Sequence, residues 1–219
     1  MTQQAVMHRQ PAPAVADRAD PARRRGAKAS RAPLVREQLL VAAASLIRSG
    51  DLAALTPQAL CDAARVRPNT LYAHFASADD VRHALGTRAL TELIELSRTA
   101  MGALAGHDAL EAFVGAQRLY AQVYPGLYAA AISIRPTQSE EAARGLVAYA
   151  QLEAEAFRTY LLPSQKVERL KWCLRAAIRG AIALEAIDAA DAHDVDRKFD
   201  SLVDMLHTQA RAASAWPQR

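Results

Sequence analysis

Leu55-Thr56-Pro57-Gln58-Ala59-Leu60-Cys61-Asp62-Ala63-Ala64-Arg65-Val66-Arg67-Pro68-Asn69-Thr70-Leu71-Tyr72-Ala73-His74-Phe75 holds two short helical signals around a tight turn. Threonine is a strong N-cap, and a proline at the first helical position gives up no intrahelical hydrogen bond, so Thr56-Pro57 opens the first of them. Leu60, Ala63 and Ala64 form its apolar side, and Val66 marks the turn. Pro68 then opens a shorter helix that reaches about His74. This second helix is too short to build a core, so Leu71 and Phe75 must hold it against its neighbours. Asn69, Thr70, Tyr72 and His74 are left pointing away. Two short helices braced by a third make a helix-turn-helix. A helix docked on one side, with amide, hydroxyl and imidazole groups on the other, suits base-edge and phosphate contacts. An ordinary solvated helical corner would show the same pattern.

The brace lies just upstream. Val35, Leu39, Ala43, Leu46 and Ile47 recur at helical spacing from Leu34 onward, and Gly50 is a natural C-terminal stop. Downstream, Ser77-Ala78-Asp79-Asp80 has the pattern of a capping box with aspartate in place of glutamate, and Val81 and Leu85 continue that helix. Residues 1–33 read as a disordered tail rich in Ala, Pro, Arg and Gln, with too few large apolar groups to offset the ordering entropy. Those 33 residues hold seven basic and two acidic residues, whereas residues 89–219 hold fourteen basic and sixteen acidic, so the formal charge of +4 resides in the tail. Arg23-Arg24-Arg25, Lys28 and Arg31 are either a solubilising extension or an arm that touches DNA backbone or minor groove.

The run from Leu55-Thr56 through Val66-Arg67-Pro68-Asn69-Thr70-Leu71-Tyr72-Ala73-His74-Phe75 resembles the DNA-binding signature of the TetR family of regulators. The resemblance covers residues 34–88 as a helix-turn-helix domain and implies an all-α chain of about nine helices. By the same resemblance, Thr56 contacts a phosphate at a helix N-terminus, with Asn69 and Thr70 nearest the base edges. Tyr72 and His74 reach the backbone, and Arg67 and Pro68 lie in the same contact set. Two positions depart from the family pattern. Arg67 stands where a serine cap is usual, and Ala78 where a lysine is usual.

Residues 89–213 then read as a helical ligand-binding and dimerisation domain. Its first long helix runs to about Met101, ending near Gly102 or Gly106. Asp108 caps the next, which carries Phe113, Gln117, Tyr120 and Tyr124 on one stripe, and a short sixth helix holds Leu127 to Ile132. A seventh spans about Ser139 to Leu161, and Pro163 or Ser164 starts an eighth. Asp194 caps a final helix with Val195, Phe199, Leu202, Val203 and Leu206 on one side, and the chain frays after Arg211. The segment Tyr124-Pro125-Gly126-Leu127-Tyr128, with Trp172 and Arg179-Gly180, resembles the Trp-His-Gly type of TetR C-terminal domain, although Arg179 replaces the histidine.

A homodimer is expected through the last two helices, with Leu170, Leu174, Ala177, Ala181, Leu184, Phe199, Leu202 and Leu206 as its interface. An effector pocket is expected between the fifth to eighth helices, walled by Tyr120, Tyr124, Tyr128 and Phe157, with Trp172, Arg175 and Arg179 on the eighth. Arg175 and Arg179 on an apolar helix need partners. Either internal acids such as Glu153, Glu155 or Glu185 supply them, or an acidic effector does.

No Walker-type or dinucleotide-binding glycine loop, no Gly-x-Ser-x-Gly elbow and no zinc spacing of Cys and His occurs, so neither a catalytic constellation nor a metal or cofactor is expected. His107 and His193 read as loop or cap residues. Cys61 reads as a small core residue. Two distant cysteines and the lack of a membrane-length apolar run or an apolar signal region point to a reduced, cytoplasmic protein. The reading is a ligand-responsive repressor whose dimer sits on a palindromic double-stranded operator. The alternatives are a DNA-organising or protein-recruiting relative without an effector and, far less favoured, a small-molecule enzyme.

Overall fold

Serine and threonine set several of the helix starts. Thr56 Oγ1 accepts from the Ala59 amide at 3.2 Å, Ser139 Oγ from Ala142 at 3.0 Å, and Ser77 with Asp80 forms a complete capping box at 3.1 Å in both directions. The computed structural model describes residues 21–48, 51–187 and 192–215, without the side chains of 21–32, 192 and 215. Among the described residues there are nine α-helices, two 3-10 turns and no strand: α1 Pro21–Leu46, α2 Pro57–Ala64, α3 Pro68–Tyr72, α4 Ala78–Met101, α5 Gly106–Val123, α6 Pro125–Ile132, α7 Glu140–Ala156, α8 Ser164–Ile187 and α9 Ala192–Ala215. None of these helices is long and apolar enough to cross a membrane.

Two apolar cores share this framework. Leu39, Ala43, Ile47, Leu60, Leu71, Phe75, Val81 and Leu85 close the first, and Ala89, Leu90, Leu93, Phe113, Leu152, Phe157 and Leu174 belong to the second. Helix α4 serves both, passing from one to the other between Leu85 and Ala89. Helix α6 is the second bridge: Ala130 belongs to the first core, Tyr128 and Ala131 to the second, and Leu127 packs against both.

The contact between α6 and the turn that follows α1 is unusually close. A Cβ on Gly126 would lie 1.7 Å from the Ile47 carbonyl oxygen, and one on Gly86 of α4 would lie 2.7 Å from that of Ala130. Only glycine lets these backbones meet. Gly126→Ala is therefore expected to push α6 off α1 and cost about 1–3 kcal/mol, the range for overpacking, in a chemical melt. An unchanged midpoint would show that the α1–α6 contact is slack.

Several helix boundaries differ from the sequence reading. Helix α1 begins at Pro21, so 21–33 of the expected disordered tail is helical in backbone. Its Ala, Arg and Lys residues are strong helix formers and extend a helix nucleated by the packed half. Pro33 sits inside it, where its missing N–H leaves one carbonyl without its helical donor. Residues 1–20 and Gly50 lie outside the described residues. Asp108 and Asp194 are not caps. Ala105 precedes α5 with no side-chain cap, and Asp194 lies in the first turn of α9, paired with Arg197 and Lys198. Helix α7 stops at Ala156, followed by a 3-10 turn at Arg158–Tyr160 and by Leu161 in the left-handed region (φ 52°). Helix α9 continues past Arg211 to Ala215, with Lys166 Nζ donating to the Ala213 carbonyl at 2.7 Å.

Candidate nucleic-acid interface

Helix α3 is only five residues long, and its position is fixed from below. Leu71 and Phe75 are 1% and 5% exposed in the first core, and the Phe75 amide donates to the Leu71 carbonyl at 2.9 Å. The Arg36 guanidinium lies 5.0 Å above the Phe75 ring. The turn before α3 is equally well held. Gln38 Nε2 donates to the Ala64 carbonyl at 2.7 Å, tying α1 to the end of α2, and the Val66 amide closes onto Cys61. Arg82 of α4 pairs with Asp79 and donates to the carbonyls of Leu52 and Leu55 at 3.3 and 3.1 Å. Cys61 is buried as a core residue, whereas Ala63, expected on the apolar side of α2, is exposed because it lies on the far face.

What this scaffold leaves outside is polar. Thr56, Arg67, Pro68, Asn69 and Tyr72 are exposed, Tyr72 at 53%, while Thr70 and His74 are partly buried. Thr56 Oγ1 is used as an acceptor by its own cap, and its hydroxyl proton remains available to a phosphate. Arg67 occupies the cap position of α3 with an extended backbone and makes no cap hydrogen bond, as an arginine in a serine's place must. Arg65 is a residue that sequence reasoning passes over. It ends α2 in the left-handed region (φ 53°), exposed, and neither it nor Arg67 makes an ion pair with a described residue. The available signal is two arginines flanking one turn residue. Together they place two cations beside the start of α3, where an anionic backbone would lie.

The expected effector residues separate. Tyr120, Tyr128 and Phe157 are 4%, 5% and 1% exposed and are packed into the second core rather than lining an opening. The Tyr120 hydroxyl donates to Glu92 at 3.0 Å; burial, then the Glu92 charge, push its ionisation upward, and burial pushes Tyr128 up to about 12. Trp172, at 71% exposed, faces outward from α8, and Tyr124 is half exposed on a groove elsewhere. Arg175 donates Nε to Glu153 Oε1 at 2.9 Å, with a second contact from its terminal nitrogen, and Glu153 is fully buried. That hydrogen bonding raises the Arg175 ionisation against the opposing desolvation. Of the two alternatives left by the sequence, the internal ion pair holds for Arg175. Arg179 is partly buried within electrostatic reach of Tyr128 and Tyr149.

The expected interface residues also divide. Leu170, Leu174, Phe199 and Leu206 are 9%, 0%, 6% and 1% exposed within the single chain and pack in its own core, with Phe199 also lining a cavity of about 300 Å³ beside Leu184. The α8 and α9 stripes satisfy the chain's own core, which periodicity alone cannot distinguish from an outer face. Ala177, Ala181 and Leu202 are partly buried, and Leu184 is 61% exposed. The outward apolar residues are Trp172, Leu184, Ile187 and Met205. At the start of α5, His107, Asp108 and Glu111 bring possible ligand atoms within 4.8 Å of one another, and the His107 Nε2 already meets Asp204 at 3.0 Å. His107 is partly buried and Asp108 and Glu111 are exposed, so this is a surface cluster of polar contacts.

A helix-turn-helix braced by α1 is joined through α4 to a second helical core. The chain has the fold of the TetR-family transcriptional regulators. PfmR of Thermus thermophilus, a TetR-family regulator, superposes with a TM-score of 0.60 at 16% identity over 78% of this chain and 97% of that one. Mycobacterium smegmatis BioQ superposes with a TM-score of 0.61 at 19% identity over 80% and 97%. An uncharacterised HTH-type transcriptional regulator of Mycobacterium tuberculosis is 26% identical over 177 residues, which is 78% of this chain and 79% of that protein. No protein-family model matches the chain.

Proposed function

We propose that the chain is a TetR-like transcriptional regulator that binds a palindromic double-stranded operator as a homodimer and acts as a ligand-responsive repressor in the cytoplasm, with no catalytic step. The observation that carries the DNA-binding reading is α3 itself: a helix held by Leu71 and Phe75 that leaves Arg67, Asn69 and Tyr72 in solvent. Two such helices on one dimer would enter successive major grooves. Selection of bound fragments from genomic DNA, followed by footprinting, tests this. Protection of a two-fold symmetric site supports it, and failure to enrich any sequence over bulk DNA refutes it.

The outward apolar residues of α8 and α9 favour the dimer. Leu184 and Ile187 are 61% and 78% exposed one turn apart, and Trp172 and Met205 are exposed on the same two helices. The wild-type chain is expected to sediment as a dimer at micromolar concentration. Leu184→Arg with Ile187→Arg is expected to give a folded monomer, because neither side chain belongs to the core. A wild-type monomer would remove the symmetric-operator reading.

The basic segment supplies a separate expectation. Deleting residues 1–31 should weaken operator binding and flatten its salt dependence, by about 0.9 in the log–log slope for each phosphate no longer neutralised. An unchanged slope would make the segment a passenger. The packing of Tyr120, Tyr128 and Phe157 inside the second core favours a second reading, a DNA-organising or recruiting protein without an effector.

A further inference from the structure

The junction of the two cores carries an opening beside α1. A groove of about 330 Å³ runs between α1 and the start of α6, and a neighbouring cavity of about 130 Å³ continues it between α1 and α4. Val41, Ala44 and Leu127 line both, so the two are one cleft with a shared apolar waist. The larger volume is of the size that small-molecule sites occupy.

The polar groups around the cleft are not balanced. At its inner end Arg88 and Glu92 are committed: Arg88 pairs with Glu37 and Glu92, and Glu92 also accepts from Tyr120. At its outer end Arg48 stands on the rim beside Tyr124, with no ion pair and no side-chain hydrogen bond among the described residues. Tyr124, the residue before α6, and Gly126 in its first turn line the same groove. Among the described residues Arg48 is therefore a cation without an ionic partner beside an apolar floor, with an exposed aromatic ring next to it.

We propose that this cleft is an effector site for an apolar monocarboxylate, its ring or chain against Val41, Ala44 and Leu127 and its carboxylate on Arg48. The occupant touches α1 and α6 at once, beside the Gly126–Ile47 contact that sets their spacing. Because α1 braces the helix-turn-helix, any difference in the α1–α6 angle between the operator-bound and free protein becomes a difference in affinity for the occupant. That regulatory consequence rests on the DNA-binding reading; occupancy of the cleft does not.

The test is calorimetric titration of the full chain, without DNA, using 2-naphthoate, 2-naphthylmethanol and 2-naphthylmethylammonium. The carboxylate is expected to saturate one site per chain and to bind about fivefold more tightly than the alcohol, the size of one well-placed exposed ion pair, with the ammonium weakest. Arg48→Gln should erase the preference for carboxylate over alcohol. Val41→Glu, which sets a like charge on both halves of the cleft, should weaken the carboxylate about tenfold or more. Both positions are solvent-exposed, and retained helical circular dichroism checks that they fold. Arg179→Gln should change nothing. Absence of saturation by millimolar 2-naphthoate, binding undiminished in both cleft variants, or loss of binding on Arg179→Gln would each overturn the proposal. Since no arm contains DNA, a failed operator search leaves this result standing, and the converse holds too.

Discussion

Replacing both Tyr72 and His74 by alanine is expected to lower operator affinity about tenfold or more while changing stability by no more than about 1 kcal/mol. Tyr72 is 53% exposed and His74 is at the edge of the first core, so truncation removes little buried surface, and neither side chain makes a hydrogen bond to a described residue. Surface substitutions away from special features usually stay within a fraction of a kcal/mol. Contacts to base edges and backbone are each worth about 1–3 kcal/mol, so the loss of two is visible in a binding isotherm. Phe75→Ala provides the contrast from the other side of the same helix. Its ring is 5% exposed beneath Arg36, and the cavity left behind should cost about 3–5 kcal/mol. That variant should lose DNA binding only in proportion to the protein it unfolds. Normal operator binding by the Tyr72/His74 double variant, with footprint unchanged, would show that α3 is not the element that reads DNA.

The helix-turn-helix is legible in sequence because its signals are local. Thr56-Pro57, Pro68 and the Ser77/Asp80 box each act within a single helical turn, and all three open helices where expected. The end of α4 at Gly102 is marked in the same way. The second half is harder because its decisive facts are long-range. Periodicity places Leu174 and Leu206 on apolar stripes but carries no sign saying whether a stripe meets the chain's own core or another chain. The side that remains outside, with Leu184 and Ile187, is a neighbouring strip of the same helix. Tyrosines give a similar ambiguity. A tyrosine with a polar tip looks like a pocket wall, yet Tyr149 uses its hydroxyl on Gln117 inside the packed core, and Tyr120 reaches from that core to Glu92, whose side chain is 43% exposed. The cleft at α1 and α6 has no sequence signature, because it is made by a backbone approach at Gly126 between segments far apart in the chain. The helical extension before Leu34 escapes the sequence for a different reason. Low hydrophobicity argues against a core, and it says nothing against a helix that grows out of one.

Arg175→Met is expected to be among the most destabilising single substitutions outside the apolar core, at about 3–5 kcal/mol. Glu153 has no solvent exposure, and its carboxylate is held by the two nitrogens of one guanidinium. Removing that partner leaves a buried charge without compensation, which costs far more than an exposed pair is worth. The Tyr149 ring, 5.9 Å from the guanidinium carbon, faces the same group and would lose its cation as well. Arg175 itself is 37% exposed at its side chain, so the penalty falls on the glutamate side of the pair. The double variant Arg175→Met with Glu153→Leu should recover most of the loss, because two apolar side chains need no desolvation to be repaid. Urea midpoints of the wild type, the two single variants and the double variant close the cycle, with an interaction term of about 3 kcal/mol, the top of the range for residues in contact. A wild-type midpoint for Arg175→Met would mean that Glu153 does not depend on it. Arg175 would then be free to meet an acidic effector inside the second core, and the cleft at α1 and α6 would have a competitor.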